Sequence, residues 1–411
     1  MTAAPLVLVE PGAHRLGGHR HHTLTALATV HGNTVVVAPH GIAAETLAAV
    51  TAAGARVTGP AGAVPIVLAA AGTAAAVLAA AGRRAFSSRR WPAPVRRFPH
   101  QVTLVSRCLT EAACVRAGRR LAGPAATVVV LSANEALHGA AALLGGPHTR
   151  FVHELVTTED TVLRLAGHLT RRGERRVRVL TPTDAVRDEL TACFPRLPVA
   201  VRPFAVADPG NRLTDAERRQ AREDFGIPAA EAAVCLVGGW WPYKDTGVVG
   251  AALARLDVPV HLLVAGAPLD HAVLHRWGAL PHVRLHTVPG PASEAQIRAV
   301  YAASDATLVA RRPGVGKESG LVIDAVRLGV PLIVSDHDPH LAKALAGQDW
   351  ARLFQPGDGA ALANLLRDQA WSPLPRPAPT TASALDVPTA AEQIAFLTEL
   401  KEPQPCPPCP R

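Results

Sequence analysis

Lysine is nearly absent from this 411-residue chain: it stands only at positions 244, 317, 343 and 401, against 38 arginines. Aromatic residues make up 4%, so Ala, Val and Leu must fill any core. The arginines are dispersed and no nucleic-acid motif accompanies them, so the net charge of +9 does not point to DNA or RNA. It leaves anionic small molecules, or contact with the periphery of an anionic membrane, as partners. A basic n-region is missing ahead of the apolar start, and Glu10 ends that run, which argues against a secretory signal. Cys108, Cys114, Cys193 and Cys235 are scattered through apolar contexts, as in a reduced cytoplasmic protein. Cys406 and Cys409 form a lone CxxC in a Pro-rich tail, without the second ligand pair that zinc needs.

Charge is also missing from Val57 to Gly82, a run long enough to cross a bilayer. Ala dominates it, however, and Gly59, Pro60, Gly62, Pro65 and Gly72 interrupt it. Ala contributes little to insertion, so a buried strand followed by a helix inside a layered domain is expected instead.

What the chain does have is alternation. Short apolar runs at Leu6–Val9, Thr34–Ala38, Val102–Val105, Thr127–Leu131, Arg150–His153 and Arg176–Leu180 read as strands separated by helical stretches. The same rhythm returns at Ala233–Val237, Val260–Ala265, Val283–His286, Ala306–Val309 and Pro331–Ser335. This is the pattern of an α/β protein with parallel sheets, here two doubly wound Rossmann-like domains facing a central cleft. Asp208-Pro209-Gly210-Asn211 breaks the chain, and Thr214 with Glu217 forms a capping box for the next helix. The expected division is an N-terminal domain over 1–205, a C-terminal domain over 206–375, a linker and last helix over 376–400, and a disordered tail over 401–411.

Two loops carry chemistry. Gly238-Gly239-Trp240-Trp241-Pro242-Tyr243-Lys244-Asp245 follows a strand directly; its glycines permit close backbone approach, and Lys244 can reach a phosphate. Arg311-Arg312-Pro313-Gly314-Val315-Gly316-Lys317-Glu318-Ser319-Gly320 follows another strand and runs into a helix, where free amides, the helix dipole and Lys317 can cradle a diphosphate. Asp324 lies about one turn inside that helix, placed either to accept ribose hydroxyls or to form an ion pair. The run His19-Arg20-His21-His22, with His14 nearby, is too consecutive to converge on a metal. His153-Glu154 is open to an acid/base reading or to a satisfied strand-end histidine.

Taken in order, these loops resemble glycosyltransferase family 4. "FGIP…VCLVGGWWPYKD", "VRLHTVPGPASEAQIRAVYAASDATLVA", "KESGLVIDAVRLGVPLIVSDHD" and "LFQPGDGAALANLL" are similar to the family's C-terminal domain, and "RVLTPTDAVRDEL" to the end of its N-terminal one. The likeness covers most of 175–370 and is mainly architectural before residue 150. It implies a GT-B fold and a hexosyltransferase using a nucleoside diphosphate sugar as co-substrate, with no cofactor, no metal and retention of anomeric configuration. By the same resemblance Lys244 and Gly239 belong to the diphosphate loop, and Gly320 and Leu321 offer amides. Glu318 and His153 face the sugar, Asp324 holds the ribose, and Gly18 lies in the glycine turn near the acceptor. Two departures stand out. Five residues separate Glu318 from Asp324 where the family has seven between two glutamates. Gly239 and Trp240 stand where a diphosphate arginine is usual, leaving Lys317, Arg311 or Arg312 to supply that charge. The acceptor is expected to be a small molecule, plausible as a specialised metabolite given the Arg- and Ala-rich composition of high-GC genomes, with a lipid as alternative. Epimerisation or hydrolysis of a nucleotide sugar, and binding without turnover, remain the competing functions.

Overall fold

The computed structural model describes residues 4–14, 19–88, 90–154, 161–207, 211–316, 318–381 and 385–399. They form two compact units, each α/β. The tail with Cys406 and Cys409 lies outside the described residues.

The first unit is built on a seven-stranded sheet with the order β3-β2-β1-β4-β5-β6-β7. Its strands are β1 (Leu6–Val9), β2 (Thr34–Val37), β3 (Arg56–Thr58), β4 (Thr127–Val130), β5 (His148–Phe151), β6 (Val177–Thr181) and β7 (Val199–Val201), all parallel. Leu6 pairs with Thr34 on one side and Thr127 on the other. Four-residue runs such as LVLV and TVVV are buried throughout, which suits strands covered on both faces. The covering helices are α1 (His19–Val30), α2 (Ala44–Ala52), α3 (Ala63–Ala85), α4 (Ala93–Ala122), α5 (His138–Gly145), α6 (Thr161–Glu174) and α7 (Asp184–Cys193). The last helix of the chain, α15 (Ala390–Glu399), also belongs to this unit. Its Ala390, Ile394 and Leu397 enter the core beside Phe151 and Phe204. Gln393 is fully buried, accepting from Arg202 Nε at 2.7 Å and donating to the Pro203 carbonyl at 3.2 Å.

Two expectations need correction here. Val102–Val105 is not a strand but the middle of α4. Buried positions at Leu104, Cys108, Glu111 and Val115 recur every three or four residues, and this helical period overrides the short apolar run. The uncharged stretch 57–82 does form a strand and then a helix, but α3 is not buried. Only Pro65, Gly72, Ala79 and Gly82 of it are covered.

A fully buried ion pair ties α4 to β5. Arg150 Nε lies 2.9 Å from Glu111, and its Nη2 donates to Glu111 at 3.1 Å and to the Asn134 carbonyl at 3.1 Å. Arg150 Nη1 donates to His138 Nδ1 at 3.0 Å. Burial and the Arg150 charge hold the His138 imidazole well below its usual range.

The second unit has six parallel strands in the order β10-β9-β8-β11-β12-β13. They are β8 (Ala233–Val237), β9 (Val260–Ala265), β10 (Val283–Val288), β11 (Ala306–Val309), β12 (Leu332–Ser335) and β13 (Ala351–Phe354). The helices are α8 (Asp215–Asp224), α9 (Thr246–Leu253), α10 (His271–Gly278), α11 (Glu294–Ala303), α12 (Gly320–Leu328), α13 (Pro339–Leu345) and α14 (Gly359–Trp371). Alternate residues of each strand feed two separate cores: Cys235, Val237 and Val309 with α11 and α12, and Val234, Leu236 and Leu308 with α9, α10 and α14. The capping box at Thr214 and Glu217 is formed, with N–H to side-chain distances of 3.2 and 2.7 Å.

Candidate functional site

Strand order reverses between β8 and β11, and in an open parallel sheet ligands bind beyond the strand ends at such a reversal. Here the two loops singled out in the sequence meet. Gly238 leaves β8 at φ +83°, a left-handed conformation that favours glycine. A Cβ on Gly239 would lie 2.2 Å from the Ala267 carbonyl oxygen, so this glycine lets the loop after β9 pack backbone to backbone. Trp240 packs against Trp277 with ring centroids 5.1 Å apart and planes tilted by 50°, and the Lys244 amide closes the turn onto the Trp241 carbonyl at 2.9 Å. Asp245 then caps α9, accepting from the Val248 amide at 3.0 Å.

This turn folds the Lys244 side chain under its own loop. Its Nζ donates to the Val237 carbonyl at 2.6 Å and the Gly238 carbonyl at 3.1 Å, and only 8% of the residue is exposed. Arg311, just beyond β11, pairs with it in an isolated antiparallel bridge. Arg311 is 4% exposed, lies over the Tyr243 ring at 5.5 Å, and donates from Nη2 to Ser319 Oγ at 3.0 Å. Its amide donates to Ser335 Oγ at 2.8 Å. Two buried cations therefore stand side by side. Burial, and then the Arg311 charge, push the Lys244 ammonium down to about 7. Burial likewise lowers Arg311, and lowers the His337 imidazole behind it, whose Nδ1 donates to the Ser335 carbonyl at 2.7 Å.

Ser319 also caps α12, so the first amides of that helix, at Gly320 and Leu321, open beside the cations. The Leu321 methyls lie 3.7 and 4.0 Å from the point a Cβ on Gly238 would occupy. Together the cations, the glycine loop and the helix start give a chemistry that can receive an anion. Glu318 is half-buried next to the cap. Asp324 is one turn further in, where Arg327 Nη2 donates to it at 3.2 Å. Burial raises its carboxyl. Among the described residues, the nearby Tyr301 hydroxyl and Arg327 Nε and Nη1 are buried without hydrogen-bond partners, so unmet hydrogen-bonding capacity lies beside Asp324. Lys317 and Gly18 lie outside the described residues.

His153 belongs to the first unit. Its Nε2 donates to the Leu131 carbonyl at 2.8 Å, and its ring meets Phe204 edge-on at 4.4 Å. Sequence reasoning assigned no role to Glu10. It lies buried where the first sheet reverses, between β1 and β4, accepting from the Gly12 amide at 2.7 Å and from Ser132 Oγ at 2.8 Å. The available signal was an acid ending the apolar run LVLV. Of the N-terminal histidines, His21 reaches Thr46 at 2.6 Å, and His14 packs edge-on against His40. Among the described residues no three His, Cys, Asp or Glu side chains converge.

No protein-family model and no curated protein matches the sequence. Solved structures do. HepE of Anabaena, in complex with UDP and glucose, superposes with a TM-score of 0.63 at 14% identity, covering 96% of this chain and 100% of that one. A glycosyltransferase from Rickettsia africae gives 0.59 at 11% identity over 97% and 99%. The N-terminal domain of Candida albicans trehalose-6-phosphate phosphatase gives 0.62 at 10% identity over 97% of both chains. The fold is GT-B. In this GT-B chain the β8–β11 reversal holds Lys244, Arg311, Gly238 and the start of α12 in one place. Of the three residues considered for the charge missing from the Lys244 loop, Arg311 is the one buried at the neighbouring strand end beside Lys244.

Proposed function

We propose that this protein transfers a sugar from a nucleoside diphosphate sugar to a small-molecule acceptor. The observation that carries the reading is the pair of buried cations, Lys244 and Arg311, set against the α12 N-terminus. A departing nucleoside diphosphate develops negative charge, and preorganised cations and amides in a protected site stabilise it. Lys244, Arg311 and the amides of Gly320 and Leu321 serve the diphosphate; Asp324, with the unmet groups of Tyr301 and Arg327, serves the ribose. Glu318 and His153 are assigned to the sugar, and the anomeric configuration is retained without a required metal, as in the family that the motifs resemble. The UDP and glucose named for HepE support UDP-glucose as the first donor to try.

Calorimetric titration with UDP tests this reading. Lys244→Ala and Arg311→Ala should each weaken binding by about 2 kcal/mol, the worth of a hydrogen bond to a charged group, or roughly thirtyfold. Unchanged affinity in both variants sinks the assignment. A second reading draws on the shortened Glu318–Asp324 spacing and the engagement of Asp324 by Arg327: a protein that binds a nucleotide sugar without turning it over. UDP-glucose binding with no product across an acceptor panel would favour it, and UDP release without acceptor would favour hydrolysis.

A further inference from the structure

The hairpin of α3 and α4 is built the opposite way from one that meets only water. Its seam is lined with small residues: a Cβ on Gly72 would lie 2.6 Å from Thr110 Oγ1 and 3.1 Å from the Ser106 carbonyl, and a Cβ on Gly82 would lie 3.0 Å from Pro99. Ser106 Oγ donates across the seam to the Gly72 carbonyl at 2.6 Å. The large apolar side chains point outward. Ile66 is 55% exposed, Val67 67%, Val77 66%, and Val64 and Leu78 are about equally open. Small residues inside and branched aliphatics outside is the arrangement of helices whose surroundings are lipid. By length and composition alone α3 is long and apolar enough to cross a membrane.

Charge on the outer part of the hairpin, ahead of the buried Glu111, is of one sign. Between Glu45 and Glu111 there is no Asp or Glu, while Arg56, Arg83, Arg84, Arg89, Arg90, Arg96, Arg97 and Arg107 fall in that interval. Arg83, Arg84, Arg90, Arg96 and Arg97 are exposed around the turn from α3 to α4, together with Trp91 and Phe98. Arginines and a tryptophan beside an apolar face match a bilayer interface, with headgroup phosphates on one side and acyl chains on the other. A second copy of the chain is a poorer occupant, because a two-fold interface sets the same patch against itself and brings arginine to arginine. Crossing the bilayer is excluded by the hairpin itself. Its second helix carries Arg96, Arg97 and Arg107 along its length and returns to the sheet, where Gly118 packs on Val7.

We infer that the α3–α4 hairpin docks this protein on the surface of an anionic membrane, with Val64, Ile66, Val67, Val77 and Leu78 at the acyl boundary and the turn arginines on lipid phosphates. The hairpin thus brings the protein to substrates held in or near a bilayer.

Co-sedimentation of the full chain with vesicles tests it. Binding is expected to vesicles of phosphatidylcholine mixed with phosphatidylglycerol, and to weaken with added salt. Little is expected to phosphatidylcholine alone. Replacing Arg83, Arg84, Arg96 and Arg97 by Ser should lower binding about fivefold for each arginine removed. Val67→Ser with Val77→Ser and Leu78→Ser should lower it at unchanged charge. These positions are exposed, so thermal unfolding and UDP binding should match the parent protein. The proposal is overturned by no binding to the anionic vesicles or by equal binding to both kinds. It is also overturned if the Ser variants bind like the parent, or if a lipid-free dimer is dissolved by the three apolar substitutions.

Discussion

Lys244 carries an ammonium into a setting that disfavours charge, and two consequences follow from the direction of its shift. Its folded value, about 7, lies below the ordinary 10.5. Between those values the unfolded chain binds more protons than the folded one, so the contribution of Lys244 to stability rises with pH across that window and is lost as pH falls through 7. An anion placed between Lys244 and Arg311 favours the charged form, so diphosphate binding takes up a proton above neutrality. UDP affinity should therefore decline as pH rises from 7 toward 9, and calorimetry in buffers of different ionisation heat should detect the uptake. Tyr243, Asp338 and His337 also surround Arg311, so Lys244→Met is the control. That variant should lose the proton uptake, weaken UDP binding roughly thirtyfold, and melt at a higher temperature than the parent protein at pH 6 without ligand. Lys244 was legible in the sequence as the lone cation of a glycine-rich strand-end loop. Arg311 was one of three candidates, because the register that sets it opposite Lys244 arises only when β8 and β11 pair.

At the scale of elements, α4 shows where local reading stops. Val102–Val105 looks like a strand in isolation, yet Leu104 and Cys108 fall on the helix face that carries Glu111 toward β5. There Glu111 is held below the usual carboxylate range: burial alone would raise it, but Arg150, His148 and the Asn134 amide prevail. Removing one partner leaves the other charge buried. Glu111→Leu should therefore destabilise the first unit by about 3–5 kcal/mol, while the double change Glu111→Leu with Arg150→Met should recover a large part of that loss. Chemical denaturation of the two variants checks this. An equal loss in both would mean that packing, rather than the unpaired charge, dominates.

On the scale of the whole molecule, the chain leaves its first unit after Val206, completes the second by Pro388 and returns with α15. A chain ending at Pro388 lacks Leu397 and Gln393, both fully buried, and strips Arg202 of its Gln393 partner and of the Phe396 ring beneath it at 4.7 Å. Loss of a buried Leu side chain alone typically costs about 2–5 kcal/mol. Truncation after Pro388 should therefore unfold or aggregate the first unit. A fragment spanning 207–388 holds both of its own cores and the cation pair, and should fold and bind UDP with near-parental affinity. Circular dichroism and calorimetry on the two proteins separate these outcomes; a 207–388 fragment that folds but fails to bind UDP would place part of the nucleotide site elsewhere.

Alternating apolar runs and turn residues determined the two parallel α/β units and most strand positions, because a four-residue run of Val and Leu between helices has few other uses. The same local information marked the Lys244 loop and the Lys317–Asp324 segment. Three matters were decided only by tertiary structure. Strand order, and hence the meeting of Lys244 with Arg311, depends on pairing between residues more than sixty positions apart. The exposure of α3 depends on which of its faces α4 covers, and its glycines chose the narrow one. The return of α15 depends on a core built from the first half of the chain. Each turns on contacts distant in sequence, and no local pattern encodes which distant surface a segment will meet.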